Sequence, residues 1–247
     1  SDRQYQYAKA RFQKAGIDDR VQLLKKDYRD LRGRYDKLVS IEMIEAVGHQ
    51  YMDTYFRRCS ELLKPEGLML LQAITINDQQ YESARKTVDF IKRFIFPGSF
   101  LPSVTAISDA LTRKTDMTVF HMDDIGPHYA ETLRQWRARF MAERDKVRRL
   151  GYPESFIRMW EYYFSYCEAG FAERAVGEGF AGFHGDAPEF DLTELVEYLL
   201  DIVRLAHRDA AGGEHQVGLP SAALEGCTGG LEVVLDNAQR DELAAQA

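Results

Sequence analysis

The stretch LMLLQAITI (68–76) constrains the fold of this chain more than any other. Both of its alternating sets of positions are apolar, with Gln72 as the one strongly polar member. A strand of that kind belongs in a sheet covered on both faces, since either face would otherwise put apolar side chains in water. Such sheets arise where strands alternate with helices, and the chain supplies both. Candidate strands are RVQLLKKD (20–27), the run from Lys37 to Met43, 68–76 itself and MTVFHMDDIG (117–126). Helical spacing covers 3–15, about 49–63, 78–93, 104–114, 128–150 and 153–175. The order predicts an α/β fold with a mostly parallel sheet, right-handed crossovers and helices on both faces.

At 247 residues the chain can bury one full core, and 45% apolar with 29% charged content is that of an ordinary soluble globular protein. A net charge of −7 supplies no basic footprint for nucleic acid. Cys59, Cys167 and Cys227 have neither metal-binding nor redox spacing, and their odd number fits a reducing compartment, so a cytoplasmic location is expected. No run reaches the ~18 apolar residues of a membrane span and no signal peptide is visible, so any lipid contact is expected to be peripheral. The opening SDRQYQYAKARF stands inside a helical pattern without an initiator Met and reads as a piece of something longer. After about Val176 the texture changes. GEGFAGFHGDAPEF is glycine-rich, 191–209 reads as one amphipathic helix, and 231–247 offers at most a short strand and a helix. A boundary is therefore expected between a domain at 1–175 and a divergent tail at 176–247.

Neither a G-x-G-x-x-G nor a G-x-x-x-x-G-K-[ST] phosphate cradle occurs, and no Ser–His–Asp site has its strained nucleophile elbow. The histidines lack metal-ligand spacing, so no metal is expected; HMDDIGPH (121–128) reads as turn and cap chemistry. The remaining polar residues stand where strands end: Asp27 and Tyr28, Glu42 and Glu45, Gln72, and the loop from Asp124 to Tyr129. In a parallel sheet those ends share one side, where open α/β sheets bind their ligands. Each residue alone fits a solvated loop; jointly they fit a site better. Two aromatic segments, RFIFPGSFLPS (93–103) and MWEYYFSYCEAGF (159–171), fit either helix packing or an apolar tunnel for a long substrate.

In order and spacing, YDKLVSIEMIEAVGHQYMDTYF, LLKPEGLMLLQAITI, FIFPGSFLPS, DIGPHYAETLRQW and MWEYYFSYCEAGFAER resemble the cyclopropane-fatty-acyl-phospholipid synthases and mycolic acid cyclopropane synthases. The resemblance covers about residues 1–175. It implies a Rossmann-like class I methyltransferase sheet, S-adenosyl-L-methionine as methyl donor, and bound bicarbonate. The implied substrate is an unsaturated phospholipid acyl chain met at the membrane surface, and the resemblance also allows a homodimer. Ser1 and Gln4 are the implied contacts to the ribose and methionine portions of the donor. Tyr28 takes the place of an aromatic beside the adenine, with Arg29 next to it, and Ile41 is implied to line the adenine pocket. Glu45 matches an active-site glutamate that helps hold bicarbonate; the Ile74 backbone and Tyr129 match other bicarbonate contacts, and Cys167 a cysteine near the active site. Glu42 is expected to be only a neighbour in the cofactor loop.

The chain also departs from that pattern. Gln72 stands where the family often has histidine, and glutamine donates a neutral hydrogen bond but carries no charge. Ala46 replaces another histidine. The family's first strand with its GxGWGG loop, and the upstream YSCxYF segment, would precede Ser1, so the sheet is expected to be incomplete at its N-terminal side. The closing hairpin has no clear match in 176–247. The implied chemistry has strict demands. An isolated alkene is a poor nucleophile, so the methyl must be delivered in line from a sulfonium with water excluded. The resulting carbocation needs aromatic faces and carboxylate charge, and a base must then remove a proton to close the ring. Methyl branching, action on another lipid, and a catalytically inert lipid- or partner-binding role are the alternatives.

Overall fold

The computed structural model describes residues 2–19 and 21–185, with the backbone of Val234–Leu235. After helix α1 (Asp2–Ala15), strand β1 (Tyr35–Ile41) runs parallel to β2 (Leu63–Ile76), placing Leu38 opposite Met69 and Ile41 opposite Gln72. Between them lie α2 (Ile44–Val47), a 3-10 turn at His49–Tyr51 and α3 (Met52–Leu62). Helix α3 buries Met52, Tyr55, Phe56, Cys59 and Leu62, a spacing of three and four that lays one apolar stripe on the sheet. The run at 68–76 forms the inner part of β2, with Leu68, Met69, Leu70, Leu71 and Ala73 buried.

The rest of the sheet is antiparallel, which corrects the expectation of a mostly parallel one. Strand β3 (Thr118–Asp124) is the far edge, and β4 (Val176–His184) fits between β3 and β2, antiparallel to both. A two-residue strand, β5 (Val234–Leu235), pairs antiparallel with Lys37 and Leu38 on the other side of β1. The connections explain the direction of β4. Helices α4 (Asp78–Lys86) and α5 (Val104–Lys114) precede β3; α6 (Gly126–Ala142), α7 (Arg144–Arg149) and α8 (Glu154–Ala172) follow it. Tyr129 meets Phe171 and Phe140 meets Phe164, so α6 and α8 run antiparallel. One crossover helix returns a chain to the start of its strand; an antiparallel pair returns it to the end, and the next strand must run backwards.

The sheet therefore continues past the boundary expected at 175, through the whole of β4 to His184. Its glycines, which gave the segment the look of a loop, let β3 come close: a Cβ on Gly179 would lie 2.7 Å from the Asp123 carbonyl oxygen. The expected strand at 20–27 does not form, since its described residues 21–27 have no ladder partner and β5 occupies that side of β1. The expected helix at 78–93 stops at Lys86 and is followed by a π-helical turn at Ile91–Ile95. Of the expectations for the tail, the short strand appears as β5; the helix at 191–209 lies outside the described residues.

Helices cover both faces of the sheet. On one, Leu38, Met69, Leu71, Ala73, Ala181 and Phe183 pack with α3 and α5. On the other, Leu70 packs with Val39 and Phe180, while Ile74 and Val176 meet the aromatic cluster between α6 and α8. Among the described residues no helix is long and apolar enough to cross a membrane.

Candidate active site

The site begins where β1 ends. Glu42 takes a positive φ of 49°, an uncommon conformation for a side-chain-bearing residue, and its N–H donates to the Gln72 carbonyl at 3.0 Å. That turn starts α2 and aims Glu45 at β2. Glu45 Oε1 accepts from the Ile74 N–H at 2.7 Å, and the Glu45 carbonyl accepts from Phe100 N–H at 3.0 Å, which ties the aromatic loop to α2. Glu45 Oε2 is buried without a partner. Burial pushes the Glu45 carboxyl up to about 7; bonds from its own and the Ile74 N–H oppose the shift, and the Glu42 charge adds to it.

Gln72 stands at the centre of a second set of contacts. Its Nε2 donates to Glu178 Oε1 at 2.8 Å and to Glu42 Oε1 at 3.2 Å. The Tyr129 hydroxyl donates to the same Glu42 oxygen at 3.1 Å. Glu178 lies opposite Ile74 across the β2–β4 ladder and is fully buried, with Oε2 unpartnered. Its carbonyl accepts from Ile125 N–H at 2.7 Å, locking β4 to the start of α6. Burial drives the Glu178 carboxyl well above the usual range, the Glu42 charge pushes the same way, and the Gln72 bond works against both. The Tyr129 hydroxyl is likewise pushed up by burial and then by the charges of Glu42 and Glu178; its ring packs 4.9 Å from that of Phe171. Burial lifts the Cys167 thiol to about 12 against a bond from Tyr163, so this cysteine stays protonated. Among the described residues none of the three glutamates pairs with a Lys, Arg or His, and no group of His, Cys, Asp or Glu is placed to hold a metal.

Four of the residues singled out in the sequence are thus brought together: Glu45, Ile74, Gln72 and Tyr129. Cys167 lies beside them in the same aromatic cluster as Ile74, Tyr129 and Tyr163. Ile41 caps β1 and is 43% exposed. Tyr28, in a 3-10 turn at Tyr28–Asp30, packs edge-on to Tyr55 at 5.7 Å, and Arg29 forks onto Asp27 at 2.9 and 2.6 Å. Gln4 sits on α1, which buries none of its residues, and Ser1 lies outside the described residues. Glu42 is more than a neighbour, since it is the acceptor for both Gln72 and Tyr129. The sequence reading missed Glu178 altogether. Its signal was an acid on an otherwise apolar alternating set: Val176, Glu178 and Phe180.

The aromatic segments pack against the helices and against each other. Trp160 and Phe164 are core between α6 and α8. Phe96 meets Tyr163 at 6.2 Å and Phe90 meets Tyr162 at 4.6 Å, so the loop and α8 form one aromatic wall. Asp124 accepts from Gly126 N–H at 2.9 Å, the turn-and-cap role expected of HMDDIGPH.

The fold is that of class I methyltransferases. It matches the cyclopropane synthase MmaA2 from Mycobacterium tuberculosis with a TM-score of 0.58 at 22% identity, over 65% of this chain and 59% of that one. The mycolic acid cyclopropane synthase CmaA1, complexed with SAH and CTAB, matches with a TM-score of 0.58 at 26% identity, over 65% of this chain and 59% of that one. Residues 1–177 match the profile of the mycolic acid cyclopropane synthetase family, and the chain belongs to that family. It is 45% identical over 168 residues to the tuberculostearic acid methyltransferase UfaA1 of Mycobacterium tuberculosis, covering 68% of this chain and 39% of that protein. It is 37% identical over 165 residues to the cyclopropane-fatty-acyl-phospholipid synthase of Escherichia coli strain K12, covering 65% of this chain and 40% of the relative. The chain thus spans about two fifths of the length of these curated relatives.

Proposed function

We propose that the protein transfers a one-carbon unit from S-adenosyl-L-methionine to the cis double bond of an unsaturated phospholipid acyl chain. The observation that carries this reading is the pair of buried, unpartnered carboxylate oxygens, Glu45 Oε2 and Glu178 Oε2, in a network without a cation among the described residues. Such a field suits a cationic donor and the positive charge that develops on an attacked alkene. What supports the donor is that Tyr28 and Ile41 stand near the end of β1, where they would flank an adenine; Arg29 and Gln4 would be further contacts, with Ser1 outside the described residues. Bound there, S-adenosyl-L-methionine supplies an electrophilic methyl group. The chain's own part is to hold the alkene dry against the aromatic wall of Phe96, Tyr163 and Tyr129, and to keep Glu45 fixed by the Ile74 N–H. Exposed Phe94 and Tyr162 give the same wall an outer, apolar rim, which fits a cytoplasmic protein that touches lipid peripherally.

Bicarbonate does not fit this arrangement. Its implied donors are already in use: Ile74 N–H on Glu45, Tyr129 OH on Glu42, and Gln72 Nε2 on Glu42 and Glu178. A further anion would meet three glutamates.

A second product is favoured by the likeness to UfaA1, named as a tuberculostearic acid methyltransferase: a methyl-branched chain instead of a ring. The test is transfer of labelled methyl to unsaturated phospholipid vesicles, with proton NMR of the product separating ring protons from an exocyclic methylene. Glu45→Gln should leave donor affinity by calorimetry nearly unchanged and lower turnover ~10²-fold, the effect of losing one preorganised electrostatic contact. No label in lipid would sink the proposal, and equal loss of affinity and rate would move Glu45 to the donor pocket.

A further inference from the structure

Resting on that reading of the site, we propose that Glu178 is its resident anion: the carboxylate fills the position a bound bicarbonate would take and serves as the base that removes a proton from the transferred methyl group.

Three observations carry this. The Glu178 side chain stands on the sheet floor, beside Gln72 and directly across the ladder from Ile74, whose backbone is one of the positions implied to hold an external anion. Tyr129, another such position, donates to Glu42, which shares the Gln72 amide with Glu178. The carboxylate thus takes the shorter bond of the Gln72 amide, beside the carboxylates that take the Ile74 and Tyr129 donors. It is fully buried, one oxygen is held at 2.8 Å by a neutral amide, and the other oxygen is unpartnered, leaving a lone pair for a proton. Glu45 shares the buried, unpartnered oxygen but stands on α2 and not on the sheet floor. Glu42 is exposed and spends Oε1 on two donors, while Glu45 is drawn aside onto a backbone N–H of β2. The family profile ends at residue 177, so Glu178 stands just beyond the matched span.

The step balances without another reactant. The alkene π pair forms the bond to the transferred methyl carbon as the carbon–sulfur bond breaks, its pair remaining on sulfur. Positive charge is left on the second alkene carbon. Glu178 Oε2 then takes a proton from the new methyl, and the released C–H pair closes the ring onto that carbon; in the branched case a hydride first moves with its pair from the methylated carbon to its neighbour, the positive charge passes to the methylated carbon, and the released C–H pair forms the exocyclic double bond there. Glu178 ends as a neutral carboxylic acid.

The test uses Glu178→Gln, which keeps the shape and loses the base, and Glu178→Ala, which loses the base and opens space beside Gln72. Circular dichroism and melting confirm the fold of each; if either fails to fold, the other variant and the wild-type bicarbonate titration and depletion decide. In the unliganded protein, titration with ¹³C-bicarbonate followed by NMR should show no saturable binding to wild type or Glu178→Gln, and saturable binding to Glu178→Ala. In carbonate-depleted buffer wild-type turnover should be unchanged. Glu178→Gln should lose ~10²-fold or more, the usual weight of a positioned base. Glu178→Ala should be equally slow and recover when bicarbonate is added. Saturable bicarbonate binding to wild type, loss of wild-type turnover on depletion, or a near-normal Glu178→Gln would each overturn the proposal. If wild type labels no lipid, the reading of the reaction fails instead, and the bicarbonate titration alone decides whether Glu178 fills the anion position.

Discussion

Replacing Gln72 by leucine should destabilise the protein by an amount that depends on pH. Gln72 Nε2 is the only side-chain donor to the buried Glu178 carboxyl among the described residues, at 2.8 Å, and adds a longer bond of 3.2 Å to exposed Glu42. A hydrogen bond to a charged group contributes roughly 1.5–3 kcal/mol and a neutral one about 1 kcal/mol, so the state of Glu178 decides the loss. In the unfolded chain a glutamate ionises at about 4.3. In the folded protein burial holds the Glu178 proton to higher pH, so the folded state binds more protons and stability falls as pH rises above the unfolded value. The fall stops once the folded carboxyl ionises. Gln72 makes that happen earlier, because its bond favours the charged form; leucine extends the fall to higher pH. The expected loss is therefore ~1 kcal/mol near pH 5, where Glu178 is neutral in both proteins, growing to ~2–3 kcal/mol near pH 9. Urea unfolding followed by the fluorescence of buried Trp160, at several pH values with m held common, measures the difference. A loss equal at pH 5 and pH 9 would refute the reasoning, since it would show that Gln72 does not support an ionised Glu178.

Two further expectations concern the frame of the site. Gly179→Ala places a Cβ 2.7 Å from the Asp123 carbonyl oxygen, so the β3–β4 ladder must open; a loss of ~1–3 kcal/mol is expected, read as a lowered Tm, and an unchanged Tm would show that the ladder yields freely. Tyr55→Phe removes a 2.6 Å bond and leaves the buried Ser40 hydroxyl unpaired, for ~1–3 kcal/mol by urea unfolding; a neutral result would mean that Ser40 finds another partner.

Much of this was legible in the residues, and the exceptions have physical reasons. The inner part of β2 was plain because burial on both faces requires an unbroken apolar run, and α3 because its apolar spacing is unmixed. Glu45, Gln72 and Tyr129 were found because they stand towards strand ends or helix starts, where a polar residue needs a reason; apolar Ile74 was found only through the family resemblance. Strand β4 was hidden because glycine signals a turn in sequence and a close approach in a sheet, and only the neighbour at Asp123 tells the two apart. Glu178 was lost with it. Glu42 was misjudged because its role depends on a backbone turn of φ 49° that no side-chain pattern encodes. The direction of β4 depends on whether two helices pack against each other, a contact no local spacing reports.

The late arrival of β4 bears on how the molecule is made. The Gln72–Glu178 bond joins residues 106 apart, and everything from β3 through α8 must be synthesised before the strand that belongs between β2 and β3 exists. Until then a nascent chain holds two strands with open inner edges, the kind of surface that recruits other chains. Pairing over such separations is slow, because the intervening loop loses its freedom before any ladder bond is gained. The same insertion event buries Glu178. A ribosome-bound chain that stops short of Val176 therefore lacks both Glu178 and the bond that ties it to Gln72, and its sheet is still open in the middle.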